Sequence, residues 1–108
     1  MIIDARELSN DIVIGLSRPD TADISWEILL GGLGGTISGI RDRKQGPLLV
    51  RNDHGVEKFM IFRESFLFRV EDGSIQVLDN QLENIISISD SRIIKSELPI
   101  LSISSGNR

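Results

Sequence analysis

Cysteine is absent from the 108 residues, and histidine and tryptophan occur once each, as His54 and Trp26. Without thiolates no disulfide framework and no cysteine-based metal site can form. One imidazole cannot assemble the three or four ligands of a transition-metal centre. Neither a metal nor a cofactor is expected, so the fold must stand on packing and hydrogen bonds. Long apolar runs are missing too. The longest charge-free stretch, residues 28–40, spans thirteen residues, against the ~18 of a membrane-crossing helix. Met1 to Glu7 place a carboxylate at residue 4, with no basic start leading into an apolar run. Neither a secretory signal nor a membrane span is expected, and a cytoplasmic location follows.

Charge is present but unevenly spread. Residues 1–40 carry two cations and six anions, residues 41–69 seven and four, and residues 70–108 three and six, for a net charge of -4. An acidic chain of this kind repels a polyanion, so nucleic-acid binding is disfavoured. Opposite signs on one small surface let identical copies attract one another, which points to a protein partner or a homo-oligomer.

Alanine is scarce, with two residues, while isoleucine supplies seventeen and leucine twelve. That mixture favours strands over long helices. The clearest element is a hairpin, Phe66–Glu71 and Ser74–Leu78, turning on Asp72-Gly73 in the manner of a type I′ turn. A two-residue loop pairs Val70 with Ile75, Phe68 with Val77 and Arg69 with Gln76. Leu48–Arg51 and Val56–Arg63, flanking Asn52-Asp53-His54-Gly55, predict a second hairpin and hence a four-stranded meander from Leu48 to Leu78. Asp11–Leu16 reads as a strand buried on both faces. Residues 19–30 fit a helix opened by Pro19 with Asp20 and Asp23 in its first turn, a slightly favoured alternative to a strand through Ile24, Trp26, Ile28 and Leu30. Asn80 and Glu83 allow a capping box, but the alternation in residues 83–89 favours a strand, with another short strand at Arg92–Lys95. Leu98–Ile103 gives a last strand, kept at an edge or bulge by Pro99. The expectation is one mainly β domain over residues 1–103, with a β-rich α+β variant allowed. Its form would be an antiparallel meander or small barrel or sandwich with at most one or two short helices, followed by a flexible tail at 104–108.

Five glycines fall within nine residues, Gly31, Gly32, Gly34, Gly35 and Gly39. Consecutive N–H groups without side chains can cradle an anion, with Arg41, Arg43 and Lys44 the nearest charges. The spacing matches neither the P-loop, which needs Lys where Ile40 stands, nor the dinucleotide fingerprint, which Ile37 breaks. The plainer expectation is a mobile glycine loop or a strand hugging a neighbouring backbone, and its functional version is a flexible apolar loop that orders on a partner, beside Trp26 as a further contact candidate. The recurrence of Gly31, Gly35 and Gly39 every fourth residue is read as coincidence, since glycines weaken a helix in water. His54 lies in a predicted turn with no orienting group beside it, and the acidic pairs Glu71-Asp72 and Asp20/Asp23 have no cleft assigned, so no catalytic set is expected. The sequence thus leads to a non-catalytic, self-associating interaction or assembly module. The alternative is a small regulatory domain holding a nucleotide or other anion at the glycine-rich segment.

Overall fold

The computed structural model describes residues 2–4, 11–17, 24–43, 46–62 and 64–105. Among these are nine strands, two short helices and one 3-10 turn. In chain order they are β1 (Ile2–Asp4), β2 (Ile12–Ser17), β3 (Ile24–Gly31), α1 (Gly32–Gly35), β4 (Ile37–Arg41), β5 (Val50–Asp53), α2 (Val56–Phe62), β6 (Ser65–Glu71), β7 (Ser74–Leu78), β8 (Asn84–Ser89), the 3-10 turn Lys95–Glu97 and β9 (Ile100–Ser105). They form two antiparallel sheets, β1-β6-β7-β8 and β5-β4-β3-β2-β9. The mainly β expectation holds. No helix among the described residues is long and apolar enough to cross a membrane.

Alternation builds the core. Ile12, Ile14 and Leu16 of β2, Trp26, Ile28 and Leu30 of β3, and Ile40 of β4 are buried together with Phe66, Phe68, Ile75, Val77, Ile86 and Ile88 of the other sheet. A side chain on every second residue points the same way, so each sheet gives one face to a shared interior. Each aliphatic chain removed wholly from water stabilises the fold by about 1.5–3 kcal/mol relative to exposure. The β6–β7 hairpin has the expected register, with Val70 opposite Ile75, Phe68 opposite Val77 and Arg69 opposite Gln76. Strand β2 lies between β3 and β9, as burial on both faces implied, and β9 forms a sheet edge.

Three expectations are corrected. Residues 24–31 are a strand, the second of the sequence readings, because Trp26, Ile28 and Leu30 fill the core while β2 and β4 pair on either side. The predicted helix start at residues 19–23 lies outside the described residues. The second hairpin does not form: β5 pairs with β4 in the other sheet, and residues 56–62 turn into α2. Arg92–Lys95 is a turn rather than a strand, with Ile93 N–H donating to the Asp90 carbonyl. Strand β9 runs to Ser105, with Ser104 opposite Val13, and residues 106–108 lie outside the described set.

Helix α2 is seated on the glycines. A Cβ on Gly31 would lie 2.1 Å from Phe59 Cε1, and one on Gly35 would lie 3.0 Å from Phe59 Cδ2. The aromatic ring occupies the space those side chains would fill. Gly39 likewise makes room for Leu48, whose Cδ1 would be 2.7 Å from a Cβ there. The three glycines thus lie on different elements and form no helical stripe, but packing against Phe59 and Leu48 requires each of them. Gly31→Ala combines this clash with a φ of 77° and is expected to cost about 2–4 kcal/mol. Gly34→Ala, with a φ of 74° but open space around it, is expected to cost only about 1 kcal/mol. Urea denaturation of the two variants measures both. Equal losses would contradict the packing role of Phe59.

Candidate functional site

The structure separates the residues singled out by the sequence. Trp26 is only 4% exposed and lies in the core, with the Arg92 guanidinium 5.2 Å from its ring centroid. Arg92 is held there by Asp42 at 2.9 Å and Asp90 at 2.8 Å. Side-chain and backbone donation from Arg92 lowers the Asp90 pKa to about 2. Arg41 forms a salt bridge with Glu27 across β3 and β4, its Nε 2.6 Å from Glu27 Oε1. Glu27 is buried, and a buried carboxylate needs such a partner. Gly32 lies at the start of the turn, Arg43 is exposed, and Lys44 lies outside the described residues. A strand rises about 3.3 Å per residue, so Arg41 lies roughly 16 Å along β4 from Thr36 at the glycine turn. The Arg41 guanidinium is thus set apart from the turn and engaged by Glu27.

His54 has a structural partner that the sequence did not reveal. Its Nε2 lies 2.7 Å from Ser38 Oγ, and its backbone N–H donates to the Thr36 carbonyl at 2.7 Å. The other ring nitrogen lies 3.3 Å from the Gly55 carbonyl. Ser38 has no exposed surface. A nucleophile must reach its substrate, so this serine–histidine pair braces the glycine turn against the start of α2 rather than composing a hydrolytic site.

What the glycine turn does expose is Leu33. It is 79% exposed and held at φ 50°, ψ 54°, with Gly34 beside it at φ 74°. Thr36 pins the turn by donating from its N–H to Gly32 O and from its hydroxyl to Leu33 O, each at 3.0 Å. A second leucine, Leu82, is 69% exposed and also left-handed, at φ 64°. Buried Asp79 organises its loop, its Oδ1 accepting the N–H groups of Gln81 at 2.8 Å and Glu83 at 3.0 Å. Lys58 of α2 reaches Asp79 at 2.8 Å and Glu83 at 3.4 Å, tying the loop to the helix. Val56 and Met60 are exposed one turn apart on α2, at 47% and 57%.

Leu33 and Leu82 are the only non-glycine residues with positive φ among those described. Such a conformation costs roughly 1–2 kcal/mol each for an L-residue with a Cβ. Exposing an apolar side chain gains nothing in return. Both strained leucines are exposed, while Ile2, Leu48, Leu49, Ile94 and Ile103 are further exposed apolar residues in ordinary backbone elsewhere in the chain. The glycines and Lys58 were visible in the sequence, whereas the two strained leucines carried no sequence signal. Comparison of the chain with protein-family models, with curated proteins and with solved structures finds no match.

Burial tends to raise the Asp79 pKa, but donation from Lys58 and from the Glu83 and Gln81 N–H groups outweighs it and holds the value below the ordinary 3.8. A carboxylate depressed on folding stabilises the native state above its unfolded pKa, and this stabilisation is lost as pH falls through the folded value. Asp79→Asn should therefore lower the melting temperature clearly at pH 7. The gap to the parent should shrink as the pH drops below 3.8. Thermal melts across pH measure this, and a gap independent of pH would contradict the charge's role.

Proposed function

We propose that the chain is a protein–protein interaction or assembly module whose partner contacts the α2 end. The observation that carries this reading is the pair of exposed leucines held in left-handed backbone in two loops that α2 contacts through Phe59 and Lys58, the helix itself exposing Val56 and Met60. Both loops are fixed by internal hydrogen bonds, so the partner would meet a surface already ordered, and little conformational entropy would be lost on binding. The reading is of a module that acts by binding. Ser38, which meets His54, is buried, and the Arg41 guanidinium is engaged by Glu27.

The trade between stability and contact gives a direct test. Leu33→Gly removes the strained Cβ and should stabilise the isolated fold by up to about 1 kcal/mol, a rise in melting temperature of roughly 4–8 °C. It should also weaken partner binding. A photo-crosslinking amino acid at Met60, used in native extract, is expected to give one discrete adduct that Leu33→Gly suppresses. A variant that melts higher while the adduct persists, or an absence of any adduct, would contradict the proposal.

A further inference from the structure

The two sheets meet differently at their two sides. Beside β8 the seam is closed, with Asn52 Nδ2 of β5 donating to the Ile85 carbonyl at 2.6 Å. Between β6 and β9 there is instead a cleft of about 400 Å³, walled by residues 67–71 on one side and by Lys95 and residues 98–100 on the other. Five successive residues lining one wall means that the cleft faces the edge of β6, because alternate side chains leave a strand in opposite directions. Strand β1 pairs only with Ser65–Leu67. Pro99 has no N–H to offer across the gap, and its carbonyl already accepts the Ser17 N–H at 3.2 Å. Beyond Leu67 no strand among the described residues pairs with the cleft side of β6.

The hairpin fixes which backbone groups point there. Glu71 and Ser74 flank a two-residue turn and exchange hydrogen bonds with each other, as do Arg69 and Gln76 two residues on. Val70, between them, therefore turns its N–H and C=O away from β7 and into the cleft. Only an extended polypeptide offers the complementary donor and acceptor.

The charges on this edge choose the polypeptide. Arg69 has no carboxylate partner among the described residues, its one polar contact being the Gln76 amide oxygen at 3.5 Å. Glu71 has only Lys95, at 3.9 Å with both side chains more than half exposed. The order Arg69-Val70-Glu71 is self-complementary when read antiparallel. If Val70 is placed opposite Val70 of a second copy, each Arg69 faces a Glu71 across the axis. Shifting the centre to Arg69 would set like charges opposite each other. We propose that two copies of this chain associate by antiparallel β6–β6 pairing centred on Val70, joining the β1-β6-β7-β8 sheets into one sheet about a twofold axis. This interface lies apart from the α2 end and stands whether or not the reading of that end does.

Sedimentation velocity of the full chain across a dilution series tests the proposal. The parent is expected to dimerise. R69E and E71R should each raise the dimer Kd by roughly ten- to thirty-fold, since two attractive cross-strand pairs become two repulsive ones. The double variant R69E/E71R should return to within about threefold of the parent, which no folding defect would do. A second measurement uses the absence of native cysteine. In the proposed register residues 69 and 71 form a non-hydrogen-bonded pair with Cα atoms about 4.5 Å apart, within disulfide reach. R69C/E71C should therefore give a covalent dimer on mild oxidation. Leu33→Gly should leave both results unchanged, which separates this interface from the α2 end. A monomer at every concentration, a dimer indifferent to the charge reversals, or single reversals that the double variant does not rescue would overturn the proposal.

Discussion

The seat of Phe59 on Gly31 and Gly35 is the contact on which the rest of the molecule depends. It turns a glycine-rich connection, the segment most free to move in an unfolded chain, into a fixed corner between β3 and β4. The same contact places α2 across one end of the two sheets. From that position Lys58 reaches Asp79 and holds the β7–β8 loop, so one aromatic ring and one ion pair order both flanks of the helix. A ring packed against glycine backbone leaves no room for a methyl group, and close-packed interiors transmit such misfits rather than absorb them.

Order of this kind makes the exposed apolar surface informative. Leu33 and Leu82 are neither swept about on loose loops nor tucked inward, and the fold tolerates their strained backbone because the hydrogen bonds around each loop fix its shape. Strain that persists without serving the core is what the proposed contact surface rests on. The open seam beside β6 tells a parallel story in backbone hydrogen bonds. One side of the two-sheet structure is closed by Asn52, and on the other no strand among the described residues pairs with the β6 edge at Arg69 to Glu71. Soluble proteins usually blunt such edges, and here Pro99 does so only on the facing wall.

Much of the fold was legible in the chain because its signals were local. Asp72-Gly73 set the turn, the turn set the register, and the alternation of Phe66, Phe68 and Val70 with Leu67, Arg69 and Glu71 set which face was buried. Residues 56–62 were not legible, because their fate depends on distant segments. Their apolar content suits a strand, but β4 captures β5, and the niche for Phe59 exists only once Gly31 and Gly35 have been folded into place. Residues 24–31 carried two readings of similar strength, and the strands on either side decided between them. The glycines were recognised as unusual and read as either a mobile loop or a strand in close approach to a neighbour, since sequence shows a missing side chain without showing what takes its space. The left-handed leucines gave no sign at all: a leucine looks the same in any backbone conformation.

The central claim is that the glycine turn is a rigid platform built around Phe59, not a mobile loop. Amide hydrogen exchange followed by mass spectrometry on the intact protein tests it most directly, through peptides spanning residues 31–38 and 79–85. The account predicts slow exchange at the N–H groups of Thr36 and Glu83, which donate to Gly32 O and Asp79 Oδ1, opening only with α2. Exchange at the rate of an unstructured chain in both segments, while β6 and β7 remain protected, would contradict it.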